Sequence, residues 1–488
     1  MIPDRNSPSA ETAGMAPARV PVLWLTAASG ALGGLLFGYD WVVIGGAKPF
    51  YETYFHLDTS SLKGWAMSCA LLGCLLGAIA AGMLGQRFGR KRPLTWAALG
   101  FAISSVGTAL ANEFAMFVLW RVVGGAAIGL ASGVSPMYIA EISPAQLRGR
   151  LVSLNQVAIV FGILLAQIVN WLIAHPVPQG ATANEILLSW NGQWGWRWMF
   201  GVTAIPAVLF LIASLLVPES PRWLAIKGRT AQALSVLERL GGRQYAERVL
   251  SDIAAASEQE RIVTLREALR APRARKLLLV GVLLAVLQQW CGINVIFNYA
   301  QEIFAAAGYQ VSDILFDIVV TGAVNVLFTF IAFATVDRFG RRSLLLAGLA
   351  GLIAIYAVMG VFYRLHFQGK PLLVLVLAAI ACYAMSLAPV TWIVIAEIFP
   401  NRMRSGAMAV AVTALWLACF ILTYTFPLLN ESLGAAGTFW TYAAICLAGA
   451  LFLGLELHET KGRTLEEMET GTSLQRGPFE SQRACNEQ

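Results

Sequence analysis

Twelve stretches of this chain are long and apolar enough to cross a bilayer, and nothing else in the sequence constrains the fold as strongly. A spanning helix needs about 20 mostly apolar residues. The stretches are 22–47, 64–86, 94–112, 115–139, 152–174, 197–217, 276–305, 313–336, 343–363, 371–398, 406–429 and 436–456. Of 488 residues, 57% are hydrophobic and only 13% charged, against about 25% charged in a typical soluble protein. So few charges cannot cover a water-exposed surface, which excludes a soluble enzyme, a disordered chain and a disulfide scaffold. Six of the seven cysteines, Cys69, Cys74, Cys291, Cys382, Cys419 and Cys446, lie inside apolar stretches without metal-ligand or disulfide spacing. They read as packing residues. The expected fold is an all-α membrane protein of twelve transmembrane helices in two pseudo-symmetric six-helix halves.

The polar intervals set the organisation. Residues 1–21 are Pro/Ala-rich, with no basic region leading a short apolar core, and read as a tail rather than a cleaved signal peptide. Residues 218–275 carry Glu/Arg/Leu-rich helical patterns and divide the spans six and six. The expected units are therefore a tail at 1–21, an amino half at 22–217, a linker at 218–275, a carboxyl half at 276–456 and a second tail at 457–488. Arg87, Arg90, Lys91, Arg92, Arg148, Arg150, Arg338, Arg341, Arg342, Arg402 and Arg404 fall on one side. Lys48, Lys63, Arg364 and Lys370 fall in the opposite short loops. By the positive-inside rule the first side is cytoplasmic, with the linker and both termini. The net charge of +7 is thus a signal of topology, not of a nucleic-acid partner.

The halves repeat each other. GQRFGRKRPL at 85–94 returns as VDRFGRRSLL at 336–345, and YIAEISPAQLRGR at 138–150 returns as VIAEIFPNRMRSG at 394–406. In each half the first motif follows the second span and the other follows the fourth. Such duplication suits a transporter whose halves rock about a central site.

PESPRWL at 218–224, the doubled RxGR(K/R) motif, and Gln288-Gln289-Trp290-Cys291-Gly292-Ile293-Asn294 in the seventh span carry a specific likeness. Over about residues 22–465 the chain resembles the sugar porter branch of the major facilitator superfamily, most of all its bacterial D-xylose and D-glucose proton symporters. The resemblance implies a monomeric carrier in the inner membrane that imports a monosaccharide with a proton by alternating access, without another cofactor. It also implies a cytoplasmic gating network of Arg90, Glu141, Arg148, Glu219, Arg341, Glu397 and Arg404. The residues themselves support ion pairing, since Glu141 and Glu397 end the fourth and tenth spans beside Arg148 and Arg404. Gln86 stands where the first-half motif usually has an acid, whereas Asp337 keeps it in the second. The first-half latch is therefore expected to be the weaker.

A sugar offers many hydroxyls and no charge, so its site needs amides, which donate and accept, and an aromatic face. Gln288, Gln289, Asn294 and Asn298 crowd the seventh span, where they are costly unless they face a cavity or each other. Gly292 permits a local break there. The resemblance places Phe37, Gln156, Gln288, Gln289, Asn294, Asn325 and Trp392 at sugar contacts, with Pro389 able to kink the helix near Trp392. Asn298 joins this set from the same span, although relatives usually carry a tyrosine pair at 298–299. Leu415 and Ile163 replace amides of some relatives, which bears on the choice between hexose and pentose.

Asp40, in FGYD at 37–40, is a carboxylate deep in the first span, and Arg121 near the start of the fourth is its candidate partner. A costly intramembrane ion is read as functional by default. Proton-coupled members of the branch carry Asp here, whereas the animal facilitators carry Asn. Asp40 is therefore expected to bind and release the driving proton, with Arg121 as its counter-ion. The alternatives are a facilitator in which this pair only holds two spans together, a carrier for inositol or another polyol, and a sugar sensor. His56, His175, His366 and His458 are too widely separated for a catalytic or metal cluster.

Overall fold

A computed structural model describes residues 20–144, 146–178, 181–259, 272–306, 308, 311–367, 369–399, 403–457 and 459. The side chains of Asp337 and Arg404, and the whole of Arg402 and His458, lie outside that description. Ten helices among the described residues are long and apolar enough to cross a membrane. Two details reconcile ten with twelve. The third span is the shorter helix Lys91–Ala109. The last helix, Arg404–Glu456, joins the eleventh and twelfth spans across a backbone break at Gly434, φ 67°.

The other spans are Val20–Tyr54, Ser60–Phe88, Phe114–Ile142 and Arg148–Ile173, then a sixth ending in Ala204–Leu216. In the second half Val311–Phe339 and Arg341–Arg364 are the eighth and ninth. The seventh and tenth are broken where the sequence has its cavity-type residues. The seventh consists of Pro272–Trp290, Ile293–Asn298 and Ala300–Ala306. Gly292 has φ 85°, a left-handed conformation that glycine adopts without the steric cost of a Cβ. The tenth is split into Lys370–Met385 and Leu387–Ile398. Pro389 has no N–H for the carbonyl of Met385, four residues back, so the helix opens at Ser386 just before it.

Small residues bring the spans together. A Cβ at Gly73 or Gly77 would strike backbone of the fourth span at Val122 and Ala126, and one at Gly125 or Gly129 would strike the second at Ala70 and Cys74. Close backbone approach through small residues is a usual way for helices to pack in lipid. The halves meet at the end opposite the arginine-rich loops. There the Ser61 hydroxyl lies 2.9 Å from that of Tyr424, and Trp171 packs on Phe316 with ring centroids 5.7 Å apart.

The linker forms Pro221–Ile226, Thr230–Gly241 and Arg243–Gln259 on the arginine-rich side; residues 260–271 are outside the description. It is fastened to the amino half. Tyr138 donates its hydroxyl to the Pro218 carbonyl at 2.9 Å, and the Trp223 indole donates to the Gln86 carbonyl at 3.0 Å.

Candidate functional site

Asp40 and Arg121 meet in the middle of the amino half. Arg121 Nη1 donates to both Asp40 oxygens, at 2.8 and 2.9 Å. Both residues are buried, at 5% and 4% exposure, and Arg121 also lies over the Phe200 ring. In a dry interior an ion pair is held by this kind of double hydrogen bond, and removing one partner leaves a charge that nothing solvates. The pair borders a small cavity lined also by Trp41, Ile44, Met67, Ala70, Leu71, Cys74, Ile128 and Asn298.

The amides of the broken seventh span form a chain of hydrogen bonds. Gln288 Nε2 reaches the carbonyls of Leu387 and Ala388, both at 3.4 Å, where the tenth span opens. Gln289 donates to Gln288 Oε1 at 3.2 Å, and Asn294 donates to Gln289 Oε1. The two helix breaks therefore serve one purpose, since one supplies amides and the other supplies the carbonyls that orient them. Asn298 is set apart from this chain, because it lines the cavity beside Asp40 instead. Asn325 is buried on the eighth span. Gln156 is half-buried and Trp392 is 37% exposed. Phe37 belongs to an aromatic cluster that bridges the halves, 5.7 Å from Trp416 of the eleventh span and 5.8 Å from Trp41.

At the arginine-rich end, Arg90 pairs with Glu141 at 2.6 Å and Arg341 with Glu397 at 3.4 Å. The first-half pair is the shorter of the two, and the side chain of Asp337 in the second half lies outside the description. The Arg90 and Glu141 side chains are each 10% exposed, against 16% and 30% for Arg341 and Glu397. The reason lies in the linker, where the Ser220 hydroxyl donates to Glu141 at 2.5 Å and Glu219 accepts from the backbone N–H of Arg90 at 2.7 Å. Arg148 does not join Glu141 directly; its Nε donates to the Ala140 carbonyl at 3.2 Å, near the end of the fourth span. Arg404 falls outside the described side chains.

Four features escaped the sequence reading. Lys48 was counted as a loop residue, yet it lies inside the first helix with 2% exposure. It is paired with Glu52 one turn on at 3.1 Å and with Glu302 of the seventh span, across the two halves. The helix runs on past the apolar stretch because Phe50 and Tyr51 still pack in the core, and the two carboxylates neutralise the cation. Trp41 and Trp416, to which sequence reading assigned no role, contact each other across the halves with ring centroids 5.9 Å apart. Gln167, buried at 1%, points at Thr321 of the eighth span at 3.5 Å. Finally, Glu459 accepts from the N–H groups of Arg341 and Arg342, at 2.8 and 3.1 Å, as Glu219 does for Arg90 and Lys91. Pro-Glu-Ser at 218–220 and His-Glu-Thr at 458–460 are thus a third repeated motif. Each puts a carboxylate at a helix N-terminus, where the helix dipole favours it. Among the described residues no group of His, Cys, Asp and Glu is placed to hold a metal ion.

Comparison with known proteins accords with this geometry. The profile of the family "Sugar (and other) transporter" matches residues 26–471. The chain belongs to this sugar transporter family. It is 38% identical over 469 residues to the D-xylose-proton symporter of Escherichia coli (strain K12), covering 90% of this chain and 93% of that one. It is 37% identical over 475 residues to the glucose transport protein of Synechocystis, covering 95% and 99%. The arabinose-proton symporter of Bacillus subtilis is 36% identical over 449 residues, covering 92% and 94%. The inward-open structure of the xylose transporter XylE from E. coli superposes with a TM-score of 0.80 at 36% identity, covering 92% of this chain and 99% of that one. The sugar transporter family fold is thus shown along with the sequence relationship. The chain is a multi-pass membrane transporter, not an enzyme.

Proposed function

We propose that this protein imports a neutral five- or six-carbon monosaccharide together with a proton by alternating access. The observation that carries the reading is a buried Asp40–Arg121 pair in the same bundle as a chain of buried amides. Asp40 takes up and releases the proton, with Arg121 as counter-ion. Gln288, Gln289, Asn294, Asn325 and Gln156 bond the sugar hydroxyls, and Phe37 and Trp392 face the C–H side of the ring. Relatives that are named for proton symport of D-xylose and of arabinose support both the coupling ion and the substrate class.

The contact between halves described above lies opposite the arginine-rich loops, which fits a state closed outside and open to the cytoplasm. In this state the amides bond one another. Sugar enters by exchanging those bonds for its own hydroxyls, so little polar surface is left unpaired when the site empties. Opening to the outside requires Lys48 and Glu302 to part. The Arg90–Glu141 and Arg341–Glu397 pairs brace the cytoplasmic ends of each half, and Arg148 and Arg404 complete that network. The arginine-rich face is cytoplasmic, which puts both termini inside the plasma membrane of the cell. The linker at 218–275 joins the halves on that face, and the carrier works as a monomer.

The test is uptake of labelled D-xylose, D-glucose and L-arabinose into proteoliposomes under an imposed pH gradient, acid outside. Accumulation above the equilibrium level, abolished by a protonophore, is expected for at least one. Uptake that only equilibrates and ignores the gradient would make the protein a facilitator. Competition by myo-inositol but by none of the three sugars would make it a polyol carrier.

A further inference from the structure

We propose that Asn298 couples the two halves of the transporter to the proton on Asp40, through a water bound between them. This rests on the reading of Asp40 as the proton-binding residue. Asn298 ends the short helix Ile293–Asn298 and is 5% exposed. It is the one residue of the carboxyl half among those lining the Asp40 cavity. That cavity has room for about one water.

Two of the residues that line it each carry an orphaned polar atom. Arg121 spends Nη1 on Asp40, but its buried Nε–H has no hydrogen-bond partner. The buried Oδ1 of Asn298 has none either. One is a donor and the other an acceptor. A single water accepting from Arg121 and donating to Asn298 satisfies both, and buried water of this kind is an integral part of a structure. The first span, which carries Asp40, touches the seventh at the same place. A Cβ on Gly45 of the first span would lie 3.1 Å from the carbonyl oxygens of both Phe297 and Asn298.

The chemistry follows from the charges. While Asp40 is ionised, its two oxygens accept from the guanidinium and the pair is neutral. When Asp40 gains a proton, Arg121 becomes an uncompensated buried cation. The Asn298 carboxamide oxygen is then the available acceptor across the cavity, reached through the water. Proton binding therefore strengthens the tie between the fourth and seventh spans and favours closure of the outer side. Proton loss returns Arg121 to Asp40 and loosens that tie. The other titratable groups facing Asp40 are Tyr39 on its own helix and Cys69 and Cys74 on the second span. A phenol and two thiols are uncharged at neutral pH, so they do not replace Arg121 or Asn298 in this exchange.

The test compares Asn298→Leu, which keeps the bulk and removes the amide, with Asn298→Ser, which keeps a small polar group. The readout is protons moved per sugar in reconstituted vesicles, beside the KM for exchange. A lost sugar contact alone would raise KM and leave the ratio intact. Asn298→Leu is expected to weaken the dependence of uptake on the pH gradient about tenfold, as for loss of one hydrogen bond to a charged group. Asn298→Ser is expected to recover most of it. If Asn298→Leu does not fold, Asn298→Ala serves with the same expected loss. A wild-type ratio in Asn298→Leu or Asn298→Ala, with the ratio lost in Asp40→Asn, would overturn this proposal alone. A wild-type ratio in Asp40→Asn would overturn the proton-site reading on which it stands.

Discussion

The amino half takes five ions out of water, Asp40, Lys48, Arg90, Arg121 and Arg197, where the carboxyl half takes only Asp317 among the described residues. The carboxyl half buries five amides, Gln288, Gln289, Asn294, Asn298 and Asn325, gathered at the broken seventh span and the eighth, where the amino half buries Gln167, Asn170 and Asn191 toward its outer end. Both halves share one scaffold, down to the carboxylates of Glu219 and Glu459 at matching helix starts. The duplication was therefore retained where it holds helices together and lost where the cavity is lined. An intramembrane ion costs a few kcal/mol unless paired, and its state changes with a proton. An amide costs less and exchanges hydrogen bonds with hydroxyls. The two halves are thereby suited to different cargoes, and a symporter needs both.

If that division is real, defects at the Asp40–Arg121 pair and at the Gln288–Gln289–Asn294 chain are separable. The largest conformational effect belongs to the ion that crosses between them. Lys48→Met leaves Glu302 and Glu52 without their cation, and breaking a buried pair from one side costs about 3–5 kcal/mol. The outward-open state should become the populated one. Spin-label distances across the outer ends of the first and seventh spans should lengthen, and Lys48→Met with Glu302→Gln should restore part of the closed population. Unchanged distances would show that the pair does not hold the outer side shut.

The next effect lies wholly in the carboxyl half. Gln289→Ala removes the middle of the amide chain and the hydrogen bonds that its amide offers the sugar. Each such bond is worth about 0.5–1.5 kcal/mol, so sugar affinity should fall roughly 10-fold. The proton:sugar ratio should not move, and a changed ratio would dissolve the division. Smaller still are the cytoplasmic pairs. Glu141→Ala should slow turnover more than Glu397→Ala, since the second pair is longer and more exposed, and exposed pairs contribute only about 0–1 kcal/mol. Neither should alter KM as much as turnover. Equal effects on both would remove these residues from the gate. Last, Glu459→Gln should weaken the start of the ninth span by about 0.3–1 kcal/mol, read as a small fall in Tm with transport retained.

The residues that sequence reading found and those it missed differ in a physical way. All twelve spans were legible because each is as long and apolar as a bilayer requires, and the breaks at Gly292 and near Pro389 and the Asp40–Arg121 pairing because each violates what lipid tolerates along a single helix. Lys48 was not, because a lysine near a span end ordinarily reaches for the interface. Only the approach of Glu302 from another helix explains why it is buried. Gln86 invited the inference of a weak first-half latch, while the support for that latch comes from Ser220 and Glu219, whose docking no local pattern encodes. Asn298 was grouped with the amides by its position in the chain. It lines the cavity beside Asp40 instead, a neighbour from another helix that its place in the chain does not reveal.

The division between the halves is tested most directly by external pH in a weakly buffered suspension of energy-depleted cells after D-xylose or D-glucose is added. Cells carrying the wild-type protein should alkalinise the medium with at least one of these sugars. Cells carrying Asp40→Asn should not, while still exchanging that labelled sugar across the membrane. Equal alkalinisation by Asp40→Asn and the wild type would contradict the placing of the proton at Asp40, and with it the division between the ion pair of one half and the amide chain of the other.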